Sequence, residues 1–220
     1  MCVSRVPIFN GLETDELRKV AALIMKRKYA KGEFMSLEGD PTDHLVIIET
    51  GRVKVFRYTP EGKEQILYIF SKGDFFGEKN LLSDRKSTYD VEALEDTDVC
   101  MIGRNEFQML LREYPVIGIK VIQELSGRLE NVENAVQSMG TKDVESRISG
   151  ILLDFAGKYG KQHPRGILVD LPLSREGIAN FIGTTRETVS RKLGLLQDEG
   201  VIEMIGNKKI LVLKKDSLKI

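Results

Sequence analysis

The chain has 220 residues, 41% of them hydrophobic, with 33 basic and 33 acidic side chains and a formal net charge of zero. That length holds one large or two modest domains, and the charge balance excludes an indiscriminate polycation. Two histidines and two cysteines are too few for a Cys/His zinc cluster. With no eighteen-residue apolar run and no leader-like segment, a soluble, cytoplasmic protein without a membrane span is expected.

Glu13–Met25 is amphipathic. Leu17, Val20, Ala21 and Ile24 recur at helical spacing and predict a helix. The basic tract Lys26-Arg27-Lys28 then reads as solvated charge at that helix's end, where cations offset the dipole. Strands follow. Leu45–Glu49, Gly51–Tyr58 and Gln65–Phe70 are β-rich, separated by Thr50-Gly51 and Pro60-Glu61-Gly62, and Val91–Ala93 and Val99–Ile102 continue the pattern. Many short strands at close spacing predict a small barrel or roll. The carboxylates Glu92, Glu95 and Asp96 read as solvated groups of an acid-rich turn rather than a catalytic pair. No Ser-His-Asp set or glycine-rich phosphate loop is present, so an enzyme is not expected.

From about Asn105 the period becomes helical. Ile122, Leu125, Leu129, Val132, Val136 and Met139 step by three and four residues, a seam of about two and a half heptads. A dimer helix is the favoured reading, and a long helix packed on its own domain is the alternative. Gly140 is expected to interrupt the helix and Asp143 to cap the next, Val144–Lys158, so that a hinge falls between them. Gly157–Gly166, with His163 before Pro164, reads as a polar connector.

Leu173–Asp198 has the pattern of a helix-turn-helix. Ser174 is a good N-cap, and Ile178, Ala179 and Ile182 give the first helix an apolar face. Gly183 supplies the turn. Thr184 or Thr185 caps a second helix through Val189, Leu193 and Leu196. Arg186, Glu187, Ser190 and Arg191 are left on the opposite face, where arginine can bond both major-groove acceptors of guanine and a carboxylate can accept from cytosine. After Gly200, two apolar strands flank Gly206-Asn207-Lys208-Lys209, a hairpin that reads as a wing with Lys208 and Lys209 at its tip for phosphate contact. Residues 171–220 hold nine basic against six acidic side chains, a mildly basic end on an acidic body.

A roll, a long dimer helix, a hinge and a winged helix, in that order, resemble the family of the cyclic-AMP receptor protein and the fumarate-nitrate reduction regulator (Crp/Fnr) over nearly the whole chain. The most specific matches are Glu49-Thr50-Gly51-Arg52-Val53, Gly73-Asp74-Phe75-Phe76-Gly77-Glu78 and Arg186-Glu187-Thr188-Val189-Ser190-Arg191. The resemblance implies an α+β protein. Its expected domains are an N-terminal double-stranded β-roll of cyclic-nucleotide-binding type over residues 1–106, a dimerisation helix over 107–139, and a C-terminal winged helix-turn-helix over 140–220. It also implies a homodimeric transcription factor whose effector on the roll reorients the DNA modules about the Met139–Asp143 hinge. Thr185, Arg186, Glu187, Ser190, Arg191, Lys208 and Lys209 are the DNA-binding candidates, on a palindrome with TGA-type half-sites about 34 Å apart. RNA polymerase is a candidate further partner.

The effector pocket of such a roll would include Gly77, Glu78, Arg85, Ser87, Thr88, Val132 and Glu133. Its match to a cyclic-nucleotide cassette is incomplete. The family's phosphate-binding Arg-Ser pair falls on Ser87 and Thr88, Arg85 reaches in only after rearrangement, and the adenine-contacting Thr-Ser pair falls on Val132 and Glu133. Cyclic AMP is therefore not the expected effector, and Glu78 is expected to bond backbone within the roll. With only Cys2 and Cys100, one chain cannot supply a four-cysteine iron–sulfur cluster. Haem is not expected either, since the soft ligands Cys2 and His44 miss the family's motif position. Some relatives sense oxidation through an N-terminal cysteine paired with one in the roll, and Cys2 with Cys100 is compatible with such a switch. The alternative is that Cys100 is a small buried hydrophobe. A cyclic-nucleotide-dependent regulator using the Gly77-Glu78 cassette, or a regulatory subunit acting on protein rather than DNA, completes the set of readings.

Overall fold

A computed structural model describes residues 6–83 and 85–218. It forms two compact units, Met1–Arg57 with Leu67–Glu133, and Tyr58–Ile66 with Asn134–Ile220.

The first unit opens with a 3-10 turn, Pro7–Phe9, and α1 (Thr14–Ala22). Its strands are β1 (Met25–Tyr29), β2 (Phe34–Ser36), β3 (His44–Thr50), β4 (Arg52–Tyr58), β5 (Glu64–Ser71), β6 (Phe75–Phe76), β7 (Asp90–Ala93) and β8 (Thr97–Gly103), with α2 (Glu78–Ser83) between β6 and β7. They make two four-stranded sheets, ordered β1-β8-β3-β6 and β2-β7-β4-β5. Val46, Ile48 and Val99 from the first sheet and Val53, Val55, Val91 and Ala93 from the second share one core. The alternate residues Leu45, Ile47, Cys100 and Ile102 belong to another core, with Val6, Ile8, Phe9, Val20, Phe107 and Ile117. Both faces of β3 are thus covered, which is why Leu45–Ile48 is a continuous apolar run.

The expected strands are present, four with slightly longer bounds and Gly51–Tyr58 starting one residue later at Arg52, but three details differ from the sequence reading. The first helix ends at Ala22, and Met25 already belongs to β1. Lys26, Arg27 and Lys28 lie in that strand, not at a helix end. β1 is the edge of its sheet, paired with β8 in the register Lys26↔Cys100 and Lys28↔Asp98. Its burial pattern is exposed except at Tyr29, so it carries no apolar alternation. Charge on an edge strand blunts pairing with other chains. Glu92 and Glu95 are not free acids of a turn: Glu92 lies in β7 and pairs with Lys54 at 3.0 Å, and Glu95 takes Arg52 at 2.8 Å.

Two helices follow, α3 (Arg104–Glu113) and α4 (Pro115–Thr141). Gly140 does not interrupt α4, which runs one residue past it. The break falls at Lys142–Asp143, where the Ser146 N–H donates to Asp143 Oδ1 at 2.7 Å and caps α5 (Val144–Tyr159).

The second unit continues with β9 (Gly160–His163), β10 (Gly166–Asp170), α6 (Arg175–Ile182), α7 (Arg186–Asp198), β11 (Ile202–Ile205) and β12 (Lys209–Val212). The expected polar connector is therefore a hairpin. β9 is the exposed edge of a sheet ordered β11-β12-β10-β9, and its polar sequence reflects that position. The wing is half of this four-stranded sheet rather than an isolated hairpin, a form only marginally stable alone.

Candidate functional site

Local capping builds the helix-turn-helix. The Gly177 N–H donates to Ser174 Oγ at 3.1 Å to start α6, which buries Ile178, Ala179 and Ile182. Gly183 ends it in the left-handed region at φ +72°, which glycine enters without a Cβ penalty. The Thr188 N–H then donates to Thr185 Oγ1 at 3.3 Å, making Thr185, not Thr184, the cap of α7. α7 buries Val189, Leu193 and Leu196. Its other face exposes Arg186, Glu187 and Arg191, with Ser190 half-buried beside them.

Glu145 on α5 orders the far edge of this face. Its carboxylate pairs with Lys192 at 3.2 Å and lies 3.9 Å from the Arg191 guanidinium. Lys208 and Lys209 are both exposed. Lys208 lies in the wing turn, whereas Lys209 opens β12 opposite Ile205 and Asp170 rather than occupying the tip.

The roll's candidate pocket is organised around Arg128, which the sequence offered, with Arg112 and Lys26–Lys28, only as a component of a second nucleic-acid surface and not as a pocket residue. Gly77 turns the chain at φ +93°, where a Cβ would collide with the His44 carbonyl, and delivers Glu78 to the start of α2. Glu78 is 2% exposed. Its Oε1 accepts from Arg128 Nη1 at 2.8 Å, so its partner is a side chain of α4 and not roll backbone as expected. Arg128 also donates to the Phe75 carbonyl at 2.6 Å, and its guanidinium lies 4.7 Å from the ring centroids of both Phe70 and Phe75. Glu78 Oε2 is buried with no hydrogen-bond partner. Burial pushes the Glu78 carboxyl above its usual range, against the pull of Arg128, and burial pushes the neighbouring Tyr89 hydroxyl up to about 12. Leu125, expected in the dimer seam, instead packs on the roll core, and Arg128, one helical turn later, lies on that same side.

The other pocket candidates do not converge on Glu78. Ser87 is buried, with its hydroxyl donating to the Tyr89 carbonyl at 2.7 Å. Arg85, Thr88 and Glu133 are exposed, and Val132 is largely so. The cation within the cassette is thus Arg128, already engaged by Glu78. A cyclic phosphate placed there finds no pre-arranged Arg-Ser pair.

Cys100 is wholly buried in β8 and disulfide-bonded. Cys2 lies outside the described residues. Val6, four residues after Cys2, packs in the same core as Cys100. Among the described residues no group of His, Cys, Asp or Glu is arranged to hold a metal ion, and no helix is long and apolar enough to cross a membrane.

A β-roll, a long helix and a winged helix-turn-helix define a DNA-binding transcription regulator rather than an enzyme. Comparison with known proteins agrees. Residues 26–114 match the model of the cyclic nucleotide-binding domain, and residues 146–219 that of the Crp-like helix-turn-helix domain. The chain is 30% identical to a probable transcriptional regulator, flp, of Lacticaseibacillus casei, over 99% of its own length and 96% of the relative's. It is 27% identical to a CRP-like cAMP-activated global transcriptional regulator of Mycobacterium tuberculosis, over 98% and 96% of the two chains. The structure of FixK2 from Bradyrhizobium japonicum superposes with a TM-score of 0.80 at 26% identity, covering 89% of this chain and 95% of that one. The chain belongs to the Crp/Fnr family of transcriptional regulators.

Proposed function

We propose that the chain acts in the cytoplasm as a homodimer that reads a palindromic DNA site under the control of a thiol–disulfide switch. The observation that carries the DNA reading is the exposed face of α7. Arg186, Glu187, Ser190 and Arg191 reach base edges, while Thr185 and the wing lysines Lys208 and Lys209 hold phosphates. The seam supports the dimer. Ile122, Leu129, Val132, Val136 and Met139 are all more than 40% exposed in the single chain, an apolar stripe, unbroken from Leu129 on, that a second copy would cover. The sensor is the pair Cys100 and Cys2. The buried ion pair of Glu78 with Arg128 and the spent hydroxyl of Ser87 favour this over a cyclic nucleotide.

Fluorescence anisotropy on a TGA-type palindrome against random DNA at fixed salt tests the proposal. Reduced protein, peroxide-treated protein and reduced protein with cyclic AMP form the arms. Specific binding that changes with oxidation is expected. Specific binding that requires cyclic AMP overturns the thiol reading, and equal affinity for random DNA overturns the base-reading role. Within this assay Arg191→Ala costs about 1–3 kcal/mol on the specific site, with a much smaller loss on random DNA. A uniform loss on both would reassign Arg191 to phosphate contact.

A further inference from the structure

The disulfide at Cys100 sits in an unusual place for a staple. Its Sγ lies 3.7 Å from Oε2 of Glu49, on the neighbouring strand β3. The juxtaposition follows from the sheet. Cys100 stands opposite Ile47, and the register shifts between Ile48 and Thr50, so Glu49 is the extra residue of a bulge next to that pair and its carboxylate is turned to the sulfur. Lys26 stands opposite Cys100 on the other flank, and its ammonium pairs with the Glu49 carboxylate at 3.2 Å. Lys26, Glu49 and Cys100 thus form a row across three adjacent strands, with the sulfur fully buried.

The two redox states meet that carboxylate differently. A reduced Cys100 can donate its S–H to Glu49, a hydrogen bond to a charged acceptor. A disulfide sulfur has no proton to give, so the oxidised state leaves the carboxylate facing sulfur lone pairs. We propose that Glu49 is a redox-tuning residue that favours the thiol of Cys100 over its disulfide, and that Lys26 moderates the effect by neutralising part of the Glu49 charge. This rests on the thiol-switch reading above and adds the group that keeps the bond reducible. The reaction is a two-electron exchange. An external thiolate attacks one sulfur and the S–S bond breaks. A second external thiol resolves the mixed disulfide, and two protons complete the pair of protein thiols while the reagent leaves as its own disulfide.

The full-length protein, equilibrated in glutathione buffers of graded ratio, acid-quenched and weighed intact, gives the equilibrium constant for the intramolecular bond. Glu49→Ala is expected to shift it about tenfold toward the disulfide. Glu49→Gln, which keeps an acceptor but loses the charge, shifts it in the same direction by less. Lys26→Met, on an exposed edge strand and therefore tolerant of substitution, shifts it about threefold toward the thiols. If the wild-type chain never shows the loss of two protons, the thiol-switch reading itself fails. If the wild-type bond forms normally and all three variants titrate within twofold of it, the switch stands and the role of Glu49 is overturned.

Discussion

Arg128→Ala is expected to lower the stability of the roll by about 3–5 kcal/mol, because it strips a buried carboxylate of its charge partner. The side chains of Glu78 and Arg128 are 3% and 17% exposed, so solvent cannot take over the lost contact. One oxygen of Glu78 already lacks a partner, and the substitution removes the bond to the other. The guanidinium's contacts with Phe70 and Phe75 disappear as well, leaving a void between rings. Thermal melting followed by near-ultraviolet circular dichroism should show a fall of roughly 10 °C. The pH dependence has a definite sign. Glu78 already has its carboxyl raised by burial, and losing the Arg128 cation raises it further. A carboxyl raised on folding contributes stability below its unfolded value and loses it as pH rises through the folded value. The defect in Arg128→Ala should therefore deepen from pH 5 to pH 8. The double variant Glu78→Gln with Arg128→Met removes both charges and should recover much of the loss. A single Arg128→Ala melting within 2 °C of wild type at every pH would show that the pair holds nothing together.

Val136→Glu is expected to have the largest effect on DNA binding, on the order of a thousandfold, without touching any DNA-facing residue. Val136 is 65% exposed in the single chain, so a carboxylate there costs the fold little. In a two-fold dimer the same substitution places a charge in the apolar seam, close to its own copy. Burying the side chains of Ile122, Leu129, Val132, Val136 and Met139 is worth about 1.5–3 kcal/mol each when complete, and desolvating two like charges opposes that gain. A separated chain grips one half-site and forfeits the effective concentration its partner supplied. Sedimentation should then report half the wild-type mass, with near-normal melting. A Val136→Glu chain that still sediments as a dimer and binds the palindrome at wild-type strength would remove the α4 seam from the interface.

The two units were not equally legible in the sequence. The helix-turn-helix is built from consecutive residues, and its signals are local. Ser174 and Thr185 cap their own helices, Gly183 ends α6 in the one conformation glycine favours, and Val189, Leu193 and Leu196 repeat on one face. Each of these is decided within four residues along the chain, so the pattern alone sufficed. The long helix α4 was legible for the same reason. Gly140 misled because one glycine costs a helix only about 1 kcal/mol, less than continuing the helix to Thr141 returns.

What the sequence by itself determined, then, is the order of modules and the helix-turn-helix with its exposed arginines. What only the tertiary structure decided are the pairings between distant residues. Glu78 meets Arg128 fifty positions away, and Glu49 meets Cys100 fifty-one positions away. The edge strand Met25–Tyr29 exists because β8 gives it hydrogen-bond partners, not because its own residues favour burial. Local rules act over a helical turn or a pleat. Charge pairs and sheet edges are settled by where the sheet brings remote strands together, and no short-range pattern encodes that meeting.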